Sequence, residues 1–255
     1  MRRVLTIVAV VFLLVPVAGI YGQSRKLQNL PKYDYAQYHF GFTLGLNHML
    51  FTVQPAADLN TRVYSADQTP ELAVDSSMLL AVNSDPTFGF VIGINGDLRL
   101  GRYFNLRTIP ALSFGERYIN YSILGYESDG GINYIDVRKN VGSVFIDLPL
   151  YVKYKSKRHN NMVAYVLAGG QYSLDIASNA RKRDLTGQTV VKLKKNDFYA
   201  IVGTGFDFYN PWFKLGVEIK MSYGLFDMLK KDNTIYTQGI KKLNSKVFQL
   251  CFTFE

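Results

Sequence analysis

Cysteine occurs once, at Cys251, and histidine three times, at His39, His48 and His159. An intrachain disulfide is therefore excluded, and no Cys/His spacing suited to a metal ion is present. No cofactor is expected. Gly203-Thr204-Gly205 is not a nucleotide loop, because no helix follows to offer its N-terminus to a phosphate. Long apolar runs are also missing. The only candidate, residues 4–17, is too short for a spanning helix, which needs ~20 residues, and no second such run follows. Residues 1–22 read instead as a signal peptide, with Arg2 and Arg3 ahead of the apolar stretch and Ala18, Gly19 and Gly22 behind it. Cleavage is expected before Gln23, and with no cysteine near that point a lipoprotein anchor is not supported.

What the chain has in quantity is aromatic side chains, 18 Tyr and 17 Phe. They suit the interfacial girdles of a membrane protein. The mean hydropathy of -0.00 would pass for a soluble protein, yet one stretch is not ordinary. In residues 212–225, Phe213, Leu215, Val217, Ile219, Met221, Tyr223 and Leu225 alternate with Lys214, Gly216, Glu218, Lys220, Ser222 and Gly224. A period of two marks a β-strand with one apolar and one polar face. The strand exceeds the usual ~5–6 residues and is long enough to cross a bilayer on a tilt, which takes ~9–11. Its greasy face would meet lipid and its charged face a polar interior, the repeating unit of a transmembrane barrel.

The same alternation recurs near residues 38–53, 87–100, 104–120, 141–154, 162–174 and 196–209 and at the C-terminus, giving eight strands. Long connections at 54–86, 121–140, 175–195 and 227–243 alternate with short ones at 101–103, 156–161 and 210–211. The expectation is an all-β, eight-stranded antiparallel transmembrane outer-membrane β-barrel, an up-and-down meander over residues 38–255. Short turns would face the periplasm with both termini, and residues 23–37 would form a polar periplasmic arm.

So narrow a barrel is filled by its own side chains or holds one small ligand. The inward set comprises Asp97, Arg99, Arg107, Arg117, Asp147, Lys153, Asp207, Lys214, Glu218 and Lys220. Both signs are present, which suggests a self-neutralising plug, and a pore for large solutes is excluded by the geometry. Pro110 and Pro149 fall mid-strand at similar heights, where each removes a ladder donor. They point to a bulge or a weakened seam, with an inert kink as the plainer alternative. In the loop after strand five, Arg181, Lys182, Arg183, Lys192, Lys194 and Lys195 would face outward as a solvated face or as contacts for anionic lipopolysaccharide.

Several runs carry a family likeness. They are Asn29-Leu30-Pro31-Lys32-Tyr33-Asp34, residues 39–47, Ile109-Pro110-Ala111-Leu112-Ser113-Phe114-Gly115, Asp147-Leu148-Pro149-Leu150 and Tyr165-Val166-Leu167-Ala168-Gly169-Gly170. In these the chain resembles the PorT family of outer-membrane barrel proteins. The resemblance implies a component of the type IX (Por) secretion system, which exports virulence proteases and other cargo across the outer membrane. It supplies no catalytic residues, and it would make other secretion-system proteins the partners. The arm Asn29, Leu30, Pro31, Lys32, Tyr33 and Asp34 is then the candidate partner-binding segment. A stand-alone barrel that binds a small ligand or stabilises the membrane is the alternative. An outer-membrane lipid hydrolase would need a Ser–His pair near the lipid boundary. Only His48 with Ser65, Ser76 or Ser77 could supply it, and its parity places His48 on the lipid face, so no enzyme is expected. Nucleic acid is set aside by location despite the net charge of +9.

Overall fold

A computed structural model describes residues 27–69, 71–177 and 191–255. The expected signal segment 1–22, together with Arg181, Lys182 and Arg183, lies outside the described residues. Eleven strands form one antiparallel sheet: β1 Tyr38–Pro55, β2 Val63–Ser65, β3 Ser76–Asp85, β4 Thr87–Arg99, β5 Phe104–Thr108, β6 Ala111–Tyr126, β7 Ile132–Lys155, β8 Met162–Asp175, β9 Asn196–Tyr209, β10 Lys214–Gly224 and β11 Ile240–Phe254. β1 pairs with β4 on one side and with β11 on the other, so the sheet closes on itself. β3 and β4 are one stave broken at Pro86, β5 and β6 one stave broken at Ile109-Pro110, and β2 is a short addition beside β3. Eleven strands thus make eight staves.

Two expected loops turn out to be strand. Residues 54–86 contain β2 and β3, where a register shift between Leu79 and Ala81 interrupts the period that would have disclosed them. Residues 121–140 hold the end of β6 and the start of β7, paired continuously up to Tyr126↔Ile132. Only the turn around Ser128-Asp129-Gly130-Gly131, with Gly130 at φ +86, is loop. At the opposite end, Trp212 and Phe213 belong to the turn before β10 rather than to the strand.

Outward side chains such as Phe88, Ile94 and Ile219 are 80%, 68% and 60% exposed. On a soluble protein so continuous an apolar surface would be a liability, whereas against hydrocarbon it is the stable arrangement. Among the described residues no helix is long and apolar enough to cross a membrane. At the end carrying the long connections, Phe51, Leu79, Ile119, Tyr121, Leu193, Met228, Tyr236 and Leu243 pack into a buried cluster that caps the barrel. The one-turn helix Ile235–Gln238 lies in this cap, where the Tyr121 hydroxyl donates to the Tyr236 carbonyl at 3.0 Å.

The two prolines meet on one seam. β7 pairs with β5 up to Arg107↔Tyr151 and with β6 from Ala111↔Asp147, so the register is identical on both sides of the gap. In that register Ile109 lies opposite Pro149 and Pro110 opposite Leu148. The ladder is interrupted without a bulge, because Pro149 has no N–H to return to Ile109. The Thr108 hydroxyl instead donates to the Pro149 carbonyl at 2.7 Å. On the far side Ile94 still donates to the Pro110 carbonyl at 3.0 Å, which keeps β4 attached. The amide of Ile109 should therefore exchange with deuterium faster than those of Val166 and Leu167 in the unbroken β8–β9 ladder. Equally slow exchange at all three would contradict the gap.

Candidate functional site

Strand parity sends one residue in two to the lumen, and near the rim that carries both described ends this brings charges together. Arg107 of β5 is fully buried and engages three carboxylates. Its Nε donates to Asp97 at 2.9 Å, one terminal nitrogen lies 3.3 Å from Glu218, and the other 2.8 Å from Glu255. Lys153 reaches Asp207 at 2.7 Å, and Lys220 reaches Glu218 at 2.8 Å. Lys214 pairs with Glu255 and lies 3.8 Å from Asp207. Four cations thus face four carboxylates, the balance that burial in a low-dielectric interior demands. Gly205 provides room for Tyr165, whose ring carries Lys153 at 3.7 Å and whose hydroxyl donates to Glu218 at 2.8 Å.

Seven of the ten expected lumen charges join this network. Arg117 and Asp147 are also buried but sit apart, higher in the barrel. Arg117 donates to Ser245 and Ser143 at 2.7 and 2.6 Å, stacks 4.2 Å over Phe51, and reaches Asp175 only at 4.0 Å. Asp147 is held by the hydroxyls of Ser113 and Ser173 at 2.5 and 2.6 Å. Arg99 is not in the lumen. It stands where β4 ends, and there its guanidinium turns to the rim, donating to the carbonyls of Gly101 and Tyr35 at 3.1 and 3.4 Å. Glu255, Asp175, Asp197 and Tyr165 belong to the interior and were missed. Glu255 was legible, since it continues the inward series Gln249, Cys251, Thr253, and its backbone still pairs with Lys214. Among the described residues, voids of about 10 Å³, each with room for about one water, lie beside Phe145 and Ser173 and beside Thr43 and Lys220.

The arm is not free. Asn29 donates from its backbone to Asn161 and from its side chain to the Tyr209 carbonyl, both at 2.9 Å. The Tyr33 hydroxyl reaches into the mouth and donates to Glu255 at 2.7 Å, while its ring stacks 4.0 Å from His39. Burial and the neighbouring Glu255 carboxylate push that hydroxyl far above its ordinary pKa, so it stays a donor. Asp34 accepts from Tyr209 at 2.8 Å and lies 3.7 and 3.6 Å from Lys155 and Arg158. Leu30 holds a positive φ of 48, a costly conformation for leucine. Its carbonyl accepts from Tyr33 at 3.1 Å and from Arg158 at 3.4 Å, which fixes the turn. Pro31 and Lys32 stay exposed.

The remaining candidates are scattered. His48 lies on the outer face, 4.8 Å from the Phe88 ring, and among the described residues no hydrogen bond joins it to a serine. Ser77 is fully buried, and Ser65 caps a short 3-10 turn. Lys192, Lys194 and Lys195 line the strand approach to β9, where Lys194 donates to the Asp227 carbonyl at 2.8 Å.

Replacing Arg107 by Ala would leave Asp97, Glu218 and Glu255 without their shared partner in a buried site. The expected loss is about 3–5 kcal/mol, read as the urea midpoint at which the compact, heat-modifiable band disappears in lipid. Replacing Arg62, whose exposed side chain lies 3.6 Å from Asp58, should change stability by less than about 1 kcal/mol. Equal effects of the two changes would show that the network is not what holds the lumen.

A comparison with curated proteins returns no match. Among solved structures the chain is similar to Neisserial surface protein A, at 13% identity and a TM-score of 0.39, covering 86% of this chain and 98% of that one. Similarity extends to OprG of Pseudomonas aeruginosa, at 10% identity and a TM-score of 0.44, covering 86% and 96%. The attachment invasion locus protein Ail of Yersinia pestis aligns at 10% identity and a TM-score of 0.36, covering 86% and 99%. The sequence model of one family, described as outer membrane protein beta-barrel domain, matches residues 22–230. With most of its length matched and its sheet closed into eight staves, this protein belongs to the outer membrane protein β-barrel domain family and is an integral β-barrel of the outer membrane.

Proposed function

We propose that this barrel is a non-enzymatic component of the type IX secretion machinery and supports export of cargo proteins, including secreted proteases, without conducting them. The observation that carries the reading is the filled lumen. Arg107, Lys153, Lys214 and Lys220 are matched by Asp97, Asp207, Glu218 and Glu255, and the far end is capped by a buried apolar cluster. A barrel closed in this way has only its two ends and its lipid face to work with. The secretion system itself enters through the resemblance of the arm and the proline-containing strands to the PorT family. On this reading the termini and short turns face the periplasm, where other secretion-system proteins dock. Lys192, Lys194 and Lys195, with Arg181, Lys182 and Arg183, would meet lipopolysaccharide on the outside. The docked state of the arm refines its role. Asn29, Tyr33 and Asp34 are committed to the barrel, so a partner meets the surface that the folded arm builds, with Pro31 and Lys32 outermost.

The test is affinity purification of the tagged barrel from detergent-solubilised outer membranes, paired with the secretome of a deletion strain. Secretion-system subunits should co-purify, their recovery should fall when residues 29–34 are deleted, and many cargo proteins should disappear from the medium. An intact secretome with altered envelope permeability would overturn this reading in favour of a stand-alone barrel that stabilises the membrane.

A further inference from the structure

The rim beside the arm carries a second feature that the lumen network does not use. Between the arm, the β4–β5 turn and the β7–β8 turn lies an open cleft of about 570 Å³. Five cations line it: Arg99, Arg102, Lys155, Lys157 and Arg158, against the single carboxylate of Asp34. Lys155 and Arg158 share that carboxylate at 3.7 and 3.6 Å. Arg99 is spent on two backbone carbonyls. Arg102 and Lys157 have no carboxylate within ion-pairing distance among the described residues, and both are exposed. A cleft that gathers like charge from two turns, with one shared counter-ion, is stabilised by an added anion.

Its position says which anion. Arg102 lies between Leu100 and Phe104, whose side chains are 59% and 49% exposed and belong to the apolar belt. Tyr103 packs 6.4 Å from Tyr154, itself 48% exposed on the outer face, and Arg102 lies 5.5 Å over the Tyr103 ring. Aromatic rings of this kind mark the level of lipid headgroups. The cleft therefore opens where hydrocarbon gives way to water. A soluble anion has no need of that location, whereas a lipid with its chains along the belt brings its phosphate there.

We propose that this cleft binds the phosphodiester headgroup of an anionic phospholipid from the adjoining leaflet, with Arg102 and Lys157 as the contacting cations. Basic pockets at the membrane surface recognise such headgroups through charge and through donors fixed in place. The occupied cleft would tie the arm, the two turns and the leaflet into one unit, since Asp34 already joins the arm to the β7–β8 turn.

The test reconstitutes the full barrel in nanodiscs of phosphatidylcholine containing a minor fraction of phosphatidylglycerol, and counts by native mass spectrometry the lipid retained after release. The unmodified barrel should retain one phosphatidylglycerol in preference to phosphatidylcholine. The double variant Arg102→Gln with Lys157→Gln should lose that preference at least tenfold while its heat-modifiable mobility is unchanged. A control pair at the opposite end, Arg62→Gln with Arg138→Gln, whose exposed side chains pair with Asp58 and Asp85, should leave it intact. Equal retention of the two lipids, or full retention by the Arg102/Lys157 variant, would overturn the proposal. Displacement of the lipid by millimolar inorganic phosphate would do so as well, by showing the occupant to be a free anion. Displacement by an acidic peptide would assign the cleft to a protein partner instead.

Discussion

Closure of the ladder between β1 and β11 is the constraint on which the rest depends. Hydrocarbon offers no partner to a backbone N–H or carbonyl, so every such group at that depth must be paired within the sheet. Register from Phe42↔Phe254 to Gln54↔Lys242 supplies that pairing across the two ends of the barrel. Once the sheet closes, alternation is compulsory. Every second residue faces lipid and must be apolar, while the others are confined to a lumen whose radius is set by eight staves. The charges there are cut off from bulk water and therefore have to meet each other. Arg107, held by three carboxylates drawn from β4, β10 and the residue after β11, is the result. The network is thus a consequence of closure, and in turn it fills the space that closure creates.

Where the ladder fails, the failure is local and compensated. Ile109 and Pro149 face each other in an unbroken register, so the interruption leaves strand order intact. Thr108 keeps the Pro149 carbonyl satisfied with its hydroxyl, so that only the Ile109 carbonyl loses the N–H that proline lacks. At Pro86 the β1–β4 ladder stops at Met49↔Thr87, and the Phe51 amide turns to the Ser84 hydroxyl at 3.0 Å. Both breaks occur at proline and both are repaired by a neighbouring hydroxyl.

How much of this was legible in the sequence follows from the same physics. Residues 214–224 disclose their faces because both solvents, lipid and lumen, act on every position along them. β3 did not, since its bulge at Leu79/Ala81 shifts the parity midway. The upper β6–β7 hairpin was hidden by its turn chemistry, although Ile119, Tyr121 and Ile123 alternate inward to the cap. Of the ten charges that counting placed inward, nine are buried, whereas Asp175, Asp197 and Glu255 lie inside without having been counted. Arg99 escaped the rule because parity has no hold on a long side chain at a strand end. What counting cannot deliver is pairing: nothing in the spacing tells that Lys153 meets Asp207 while Asp147 is left to two serines. The docking of the arm was invisible for a related reason. Tyr33 and Asp34 find partners 222 and 175 residues away, and no local pattern records contacts of that range.

The central claim is that the barrel acts through its ends because its interior is occupied. Electrical recording of the purified protein in planar bilayers tests this most directly. The account predicts no stable open level under moderate voltage and salt, with steps appearing only when Arg107 is replaced and the network loosened. A steady conductance from the unmodified barrel, unaffected by replacing Arg107, would contradict it.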